Sequence, residues 1–233
     1  MLRTLIDVFT GESSLDFFSV VFMLLSYAMI LFVTLPVHEM AHAWTAYRLG
    51  DDTAKWHGRL SFNPLKHLDL IGTLMILLVG VGYAKPVPVN PMNFRNRKKG
   101  MALTAFAGPA SNLIMAILAV GLYRVLLLVF EVLQVQSNLA YYYLYIFLIG
   151  IFASINISLA VFNLLPIPPL DGSRIFALFL PERFTWWMER NSRIILPIFY
   201  VLLLTGSLNG LLDGIQHGVG GVICMIFGLP NLF

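Results

Sequence analysis

The sequence predicts an all-α polytopic membrane protein, and three observations carry that prediction. Of 233 residues, 58% are hydrophobic and 12% charged, whereas a soluble domain is about 45–50% apolar and about 25% charged. Residues 102–123, 132–170, 194–212 and 214–233 contain no Asp, Glu, Lys or Arg, and residues 17–47 contain only Glu39. An apolar run of about 18 residues or more has the length of a membrane-crossing helix. The basic residues, finally, are gathered between these runs: nine of fifteen lie in 48–100 and four in 174–193. A soluble enzyme, a secreted disulfide scaffold and a disordered chain are excluded. The net charge of +3 is read as a topology marker, so no nucleic-acid partner is expected. The lone Cys224 has no Cys partner for a disulfide or a metal site.

The elements follow in order. Residues 1–15 are a polar or interfacial lead. A first span covers about 17–49 and stops at Gly50-Asp51-Asp52, with Arg48 in its last turn as the helix dipole prefers. At 1.5 Å per residue it is about 50 Å long, more than the roughly 30 Å hydrocarbon core, so it must tilt, kink near Pro36 or project. Residues 51–69 are polar loop with short strands. Residues 70–84 are apolar but short and interrupted by glycine, which suits a re-entrant segment better than a full crossing. Residues 85–100 carry three prolines and a basic cluster; they should be extended and water-facing, with Lys85-Pro-Val-Pro-Val as an edge strand. The next spans are about 101–130 and 139–165. A C-terminal helical hairpin is expected over about 194–228, turning at Asn209-Gly210. Four or five spans use up the chain, so 1–233 reads as a single integral membrane domain.

Orientation comes from the inside-positive bias, which places 48–100 and 174–193 in the cytoplasm. The first span then runs inward, the second outward and the third inward. This holds only if 70–84 does not cross.

His38-Glu39-Met40-Ala41-His42 is an H-E-x-x-H. On a helix, residues i and i+4 share a face. Both imidazoles can then hold one Zn²⁺ while the intervening Glu reaches a water at the metal. The alternative is a pair of satisfied core histidines beside a paired Glu. An ionisable Glu within a span is expensive, however, and marks function by default. A catalytic zinc usually takes three protein ligands. The candidates are Asp171, His57, His67, Asp69, His217 and Asp213. His57 and His67 read as solvated or interfacial, and nothing aims His217 or Asp213. Asp171 follows a span broken by Pro166, Pro168 and Pro169, and broken backbone at membrane depth is tolerated where it lines a cavity. Its alternative role is the N-cap of a short helix.

HEMAH in one span and NLLPIPPLDG in a later one resemble the site-2 protease family of intramembrane zinc metalloproteases. GRLSFNPLKHLDLIG (58–72), GYAKPVPVNP (82–91) and AGPASN (107–112) resemble its compact bacterial members. The resemblance covers most of the chain. It implies a three-helix catalytic core around one Zn²⁺, held by His38, His42 and Asp171, with Glu39 as catalytic acid/base; the sequence does not depart from the pattern at these four positions. It also implies a multi-pass protein of a bacterial inner membrane, surrounded by lipid bilayer and acting on a transmembrane protein substrate, with no room for extra regulatory domains. Whether the chain forms a homo-oligomer stays open. Gly108 reads as a packing residue. Asn112 and Asn163 are support residues that could contact substrate, a ligand or only a neighbouring helix. Two other classes compete: a metal-ion transporter, which would carry polar groups along several spans, and a catalytically inactive membrane adaptor, which would be expected to have lost Glu39 or a ligand.

Overall fold

The computed structural model describes residues 17–79 and 82–233 and is helical over most of that length. The lead expected at 1–15 lies outside the described residues. Helix α1 (Phe17–Met29) passes through a π-helical stretch, Ile30–Thr34, into α2 (Leu35–Arg48), so the first span is one continuous helical path. The widened turn has a local cause. Pro36 has no N–H and its ring crowds the carbonyl four residues back, which a π-turn relieves. The path ends at Gly50, whose φ of +101° is the left-handed conformation that glycine adopts without penalty.

The polar segment 51–69 contains α3 (Thr53–Trp56) and a 3₁₀ turn, Pro64–Lys66, in place of the expected strands. Pairing among the described residues is a single antiparallel bridge between Leu68 and Ala84, backed by the Lys85 N–H donating to His67 O at 2.8 Å. Between these two points lies α4 (Leu70–Val79). Its ten residues reach about 15 Å, half the thickness of a hydrocarbon core. The chain therefore comes back to where it left. Two glycines allow the return: a Cβ on Gly72 would lie 2.0 Å from Tyr83 O, and one on Gly82 2.1 Å from Gly72 O. Lys85-Pro-Val-Pro-Val is extended but is not part of a sheet, because Pro86 and Pro88 remove two of the donors a ladder needs.

Helix α5 (Arg97–Val132) is the central element. Against it pack α2, the third path and the short α8 (Asp171–Phe176). The third path consists of α6 (Asn138–Tyr145), a π-helical stretch, Ile146–Ala153, and α7 (Ser154–Asn163). Alanines on both paths, Ala116, Ala119 and Ala153, sit in the buried core with Val120, Ile149 and Ile157, and small residues of this kind let membrane helices approach closely. Helices α9 (Glu182–Arg190), α10 (Ser192–Leu204) and α11 (Asn209–Ile226) follow.

Among the described residues, three helical paths are long and apolar enough to cross a membrane: Leu24–Arg48, Arg97–Val132 and Asn138–Asn163. These three correspond to the expected core spans at about 17–49, 101–130 and 139–165. Helix α10 has 13 residues, about 20 Å, too short for a crossing. The two C-terminal helices are present, but the turn between them is at 205–208 and uses Gly206 at φ +73°. Asn209 and Gly210 already belong to α11, which packs against α7 and α5 and sends Ile223 and Cys224 into the core.

Candidate active site

His38 and His42 lie one turn apart on α2 and are both buried. Their Nε2 atoms are 3.0 Å apart, and the rings meet edge to face. His42 Nδ1 is 2.7 Å from the backbone carbonyl of Thr104 on α5. That carbonyl requires a proton on Nδ1, so in the neutral ring Nε2 carries the lone pair and is turned toward His38 and Asp171. The rings fit against α5 because of Gly108. A Cβ there would stand 2.4 Å from His42 Nε2 and 2.5 Å from His38 Cε1.

Asp171 arrives from the broken segment after α7. It is the first residue of α8; Leu170 is the N-cap residue and makes no side-chain cap bond. The N-cap role considered for Asp171 is therefore corrected: its carboxylate is turned to the histidines. Oδ2 lies 3.3 Å from His38 Nε2 and 3.2 Å from His42 Nε2. Gly172 makes this possible. A Cβ on it would fall 2.2 Å from Leu165 O and 2.3 Å from Leu164 O, so only glycine lets the chain fold back onto the end of α7.

The three ligand atoms thus form a triangle with sides of 3.0, 3.2 and 3.3 Å. A tetrahedral zinc with bonds of about 2.0–2.1 Å separates its donors by about 3.3 Å. Two imidazoles and a carboxylate are also a usual zinc donor set. The residues fit the ion. Among the described residues, no other His or carboxylate joins the group. His57, Asp213 and His217 are exposed. Asp69 accepts the Gly72 N–H at 2.9 Å. His67 departs from expectation: it is fully buried, with Nε2 2.6 Å from Ser61 O.

A cavity of about 420 Å³ opens onto the cluster. One part of its wall is formed by His38, Glu39, His42 and Asp171, and a second part by Tyr83, Ala84, Pro86, Val87 and Val89. Glu39 thus lines the same space as the two histidines and the aspartate. Asn163 lines it too, but its Nδ2 donates back to Leu159 O at 2.9 Å, which is a helix-end bond. Asn112 lies one turn beyond Gly108, fully buried and off the cavity lining, and neither amide atom has a hydrogen-bond partner among the described residues.

Sequence reasoning missed two residues that build the second part of the wall. Asp51 is fully buried and accepts from the Thr53 hydroxyl, the Asn90 N–H at 2.7 Å and Asn93 Nδ2 at 2.7 Å. It ties the end of the first helical path to the far end of the extended segment. Arg59, 5% exposed, donates to the carbonyls of Lys66, Lys85 and Pro86. Burial pushes its guanidinium down from the ordinary value, and the charge of Glu39 works the other way. An Asp next to a helix stop and an Arg in a polar loop carry no sequence signal for these partners, most of which are backbone groups.

Known proteins match this arrangement. The sequence profile of peptidase family M50 matches residues 129–206, which include Asp171. The Bacillus subtilis protein "Putative zinc metalloprotease YwhC" is 40% identical over 175 residues, covering 75% of this chain and 78% of its own. The chain belongs to peptidase family M50, the site-2 protease family. Rip2 of Mycolicibacterium smegmatis, named in the same terms, is 33% identical over 76% of this chain and 66% of its own length. Rip2 of Mycobacterium tuberculosis is 29% identical over 79% and 69%. No solved structure matches. As an M50 member the chain is a membrane-embedded zinc metalloprotease, and the His38, His42 and Asp171 cluster is compatible with the zinc that the family implies.

Proposed function

We propose that the chain is a multi-pass, inner-membrane endopeptidase that cleaves transmembrane protein substrates within the bilayer, near its cytoplasmic face. The observation that carries this reading is the convergence of His38, His42 and Asp171 between helices long and apolar enough to cross a membrane, on a cavity that Glu39 also lines. His38, His42 and Asp171 would hold one ion and leave a fourth position for water. When bound, zinc polarises a carbonyl and lowers the pKa of water to about 7. Glu39 then takes the proton of the attacking water on its carboxylate and passes it to the leaving amine. The Thr104 carbonyl keeps His42 in the tautomer that presents Nε2. A helical substrate must unwind first, because its carbonyls are hydrogen-bonded along its own axis; residues of low helix propensity should favour cleavage.

The test is co-expression with tagged single-span proteins. Glu39→Gln should keep its zinc yet lose cleavage by about 10²–10⁴-fold, the usual worth of a general acid/base. Identical fragment patterns from wild type and variant would remove the acid/base role. Asp171→Ala should bind well below the about one zinc per chain that a three-residue site holds, read by metal analysis of the purified protein. Unchanged stoichiometry would remove Asp171 from the ligand set.

A further inference from the structure

The second part of the cavity wall, Tyr83–Val89, has no sheet behind it among the described residues. Pro86 and Pro88 supply no N–H, and the backbone pairing around it is the Leu68–Ala84 bridge with the neighbouring Lys85-to-His67 bond. Its attachment falls instead to a side chain. Arg59 reaches the Lys66 carbonyl at one root of the 67–84 loop and, at 3.3 Å each, the Lys85 and Pro86 carbonyls at the other. A guanidinium is well suited to bridging them, because its donors are held in a rigid fork and charge-assisted bonds to carbonyls are stronger than neutral ones.

The burial of this cation needs an explanation. Among the described residues, no carboxylate lies within ion-pair distance of Arg59. Burying an unpaired charge is costly unless hydrogen bonds offset it, and here the offset is three carbonyls. Two of the three belong to the segment that lines the cavity, at Pro86, and to its immediate neighbour, Lys85. The charge that Arg59 does feel, Glu39, lines the same cavity. We propose that Arg59 is a positioning residue, a clasp that joins both roots of the re-entrant loop and holds Ala84–Val87 at the distance from the metal cluster that receives a substrate backbone. The inference deepens the proteolytic reading and rests on it for the substrate's part.

Hydrogen exchange followed by mass spectrometry on the zinc-loaded full chain in detergent tests the clasp without a substrate. Arg59→Gln should speed exchange of the Lys85 amide by about tenfold while amides of α5 around Thr104 and the zinc content stay at wild-type values. Arg59→Lys keeps the charge but cannot span three carbonyls, and should fall between. Against a tagged single-span protein, Arg59→Gln should raise KM by about tenfold and leave kcat within about threefold. Unchanged Lys85 exchange would overturn the proposal. So would zinc loss or faster exchange throughout α5, which would mean general support of the fold. A fall in kcat at constant KM would overturn the substrate-receiving role. If the wild type cleaves nothing, the protease reading fails while the exchange result still decides the clasp.

Discussion

Two parts of the cavity wall are built on opposite principles. The metal wall is fixed by close approach: Gly108 lies under the histidine rings, and Gly172 rests on the carbonyls of Leu164 and Leu165. Nothing can be inserted there without moving a ligand. The second part is fixed by polar side chains, Asp51 accepting from the Asn90 N–H and the Asn93 side-chain amide, and Arg59 donating to the carbonyls of 66, 85 and 86. Steric placement is rigid and fails abruptly. A hydrogen-bonded clasp can loosen by degrees. A site that must hold an ion in place yet admit a polypeptide has a use for both.

That contrast can be broken at its rigid end first. Gly172→Ala should have the largest effect, because the added methyl meets backbone carbonyls at 2.2 and 2.3 Å that cannot swing aside. Asp171 should be displaced, and zinc affinity should fall by about 100-fold or more, at or beyond the upper end of the effect of disturbing a ligand's support. Competition with a chelator measures it; wild-type affinity would show that Gly172 does not place Asp171. Gly108→Ala comes next. Its methyl meets imidazole rings, which can pivot, so a loss of about tenfold is expected. A larger effect than that of Gly172→Ala would reverse the ordering of the two contacts.

The polar wall should respond more mildly, and with a pH dependence. Burial alone would raise the Asp51 carboxyl, but bonds from Thr53, Asn90 and Asn93 outweigh it and hold the group below the usual carboxylate range. Its folded-state value lies under its unfolded one. The stability it contributes is therefore complete above the ordinary carboxylate range and is lost as pH falls toward the folded value. Asp51→Asn turns an NH₂ toward donors. It should cost about 1–3 kcal/mol, the scale for leaving a buried donor unsatisfied, and should flatten the acid limb of the thermal stability curve while zinc content at neutral pH holds. An acid limb as steep as that of the wild type would show that Asp51 is not the titrating staple.

Much of the candidate site was legible in the chain. His38, Glu39 and His42 are one helical turn, and helical periodicity is local, so their shared face follows from spacing alone. Asp171 was legible from a different signal, a run of prolines that had to break a span at membrane depth. That 70–84 holds only a short helix was legible from its length and its glycines. Less was legible where partners are backbone atoms. Thr104 matters through its carbonyl, as do Lys66, Lys85 and Pro86, and every residue has one. Asn112 shows the converse: it lies one turn beyond Gly108 on α5, yet its side chain is buried off the cavity, because its place around the helix axis depends on how α5 meets its neighbours.

The sequence by itself determined the membrane setting, the three core helices, the histidine pair with its glutamate, and the aspartate that follows the break. All of these rest on composition or on spacing within one element. Only the tertiary structure decided that Asp171 turns to the histidines instead of capping its helix, that glycines set the spacing of the metal wall, and that Arg59 and Asp51 hold the segment that completes the cavity. Those outcomes depend on which backbone surfaces meet, and contact between elements distant in the chain is not written in the order of either one.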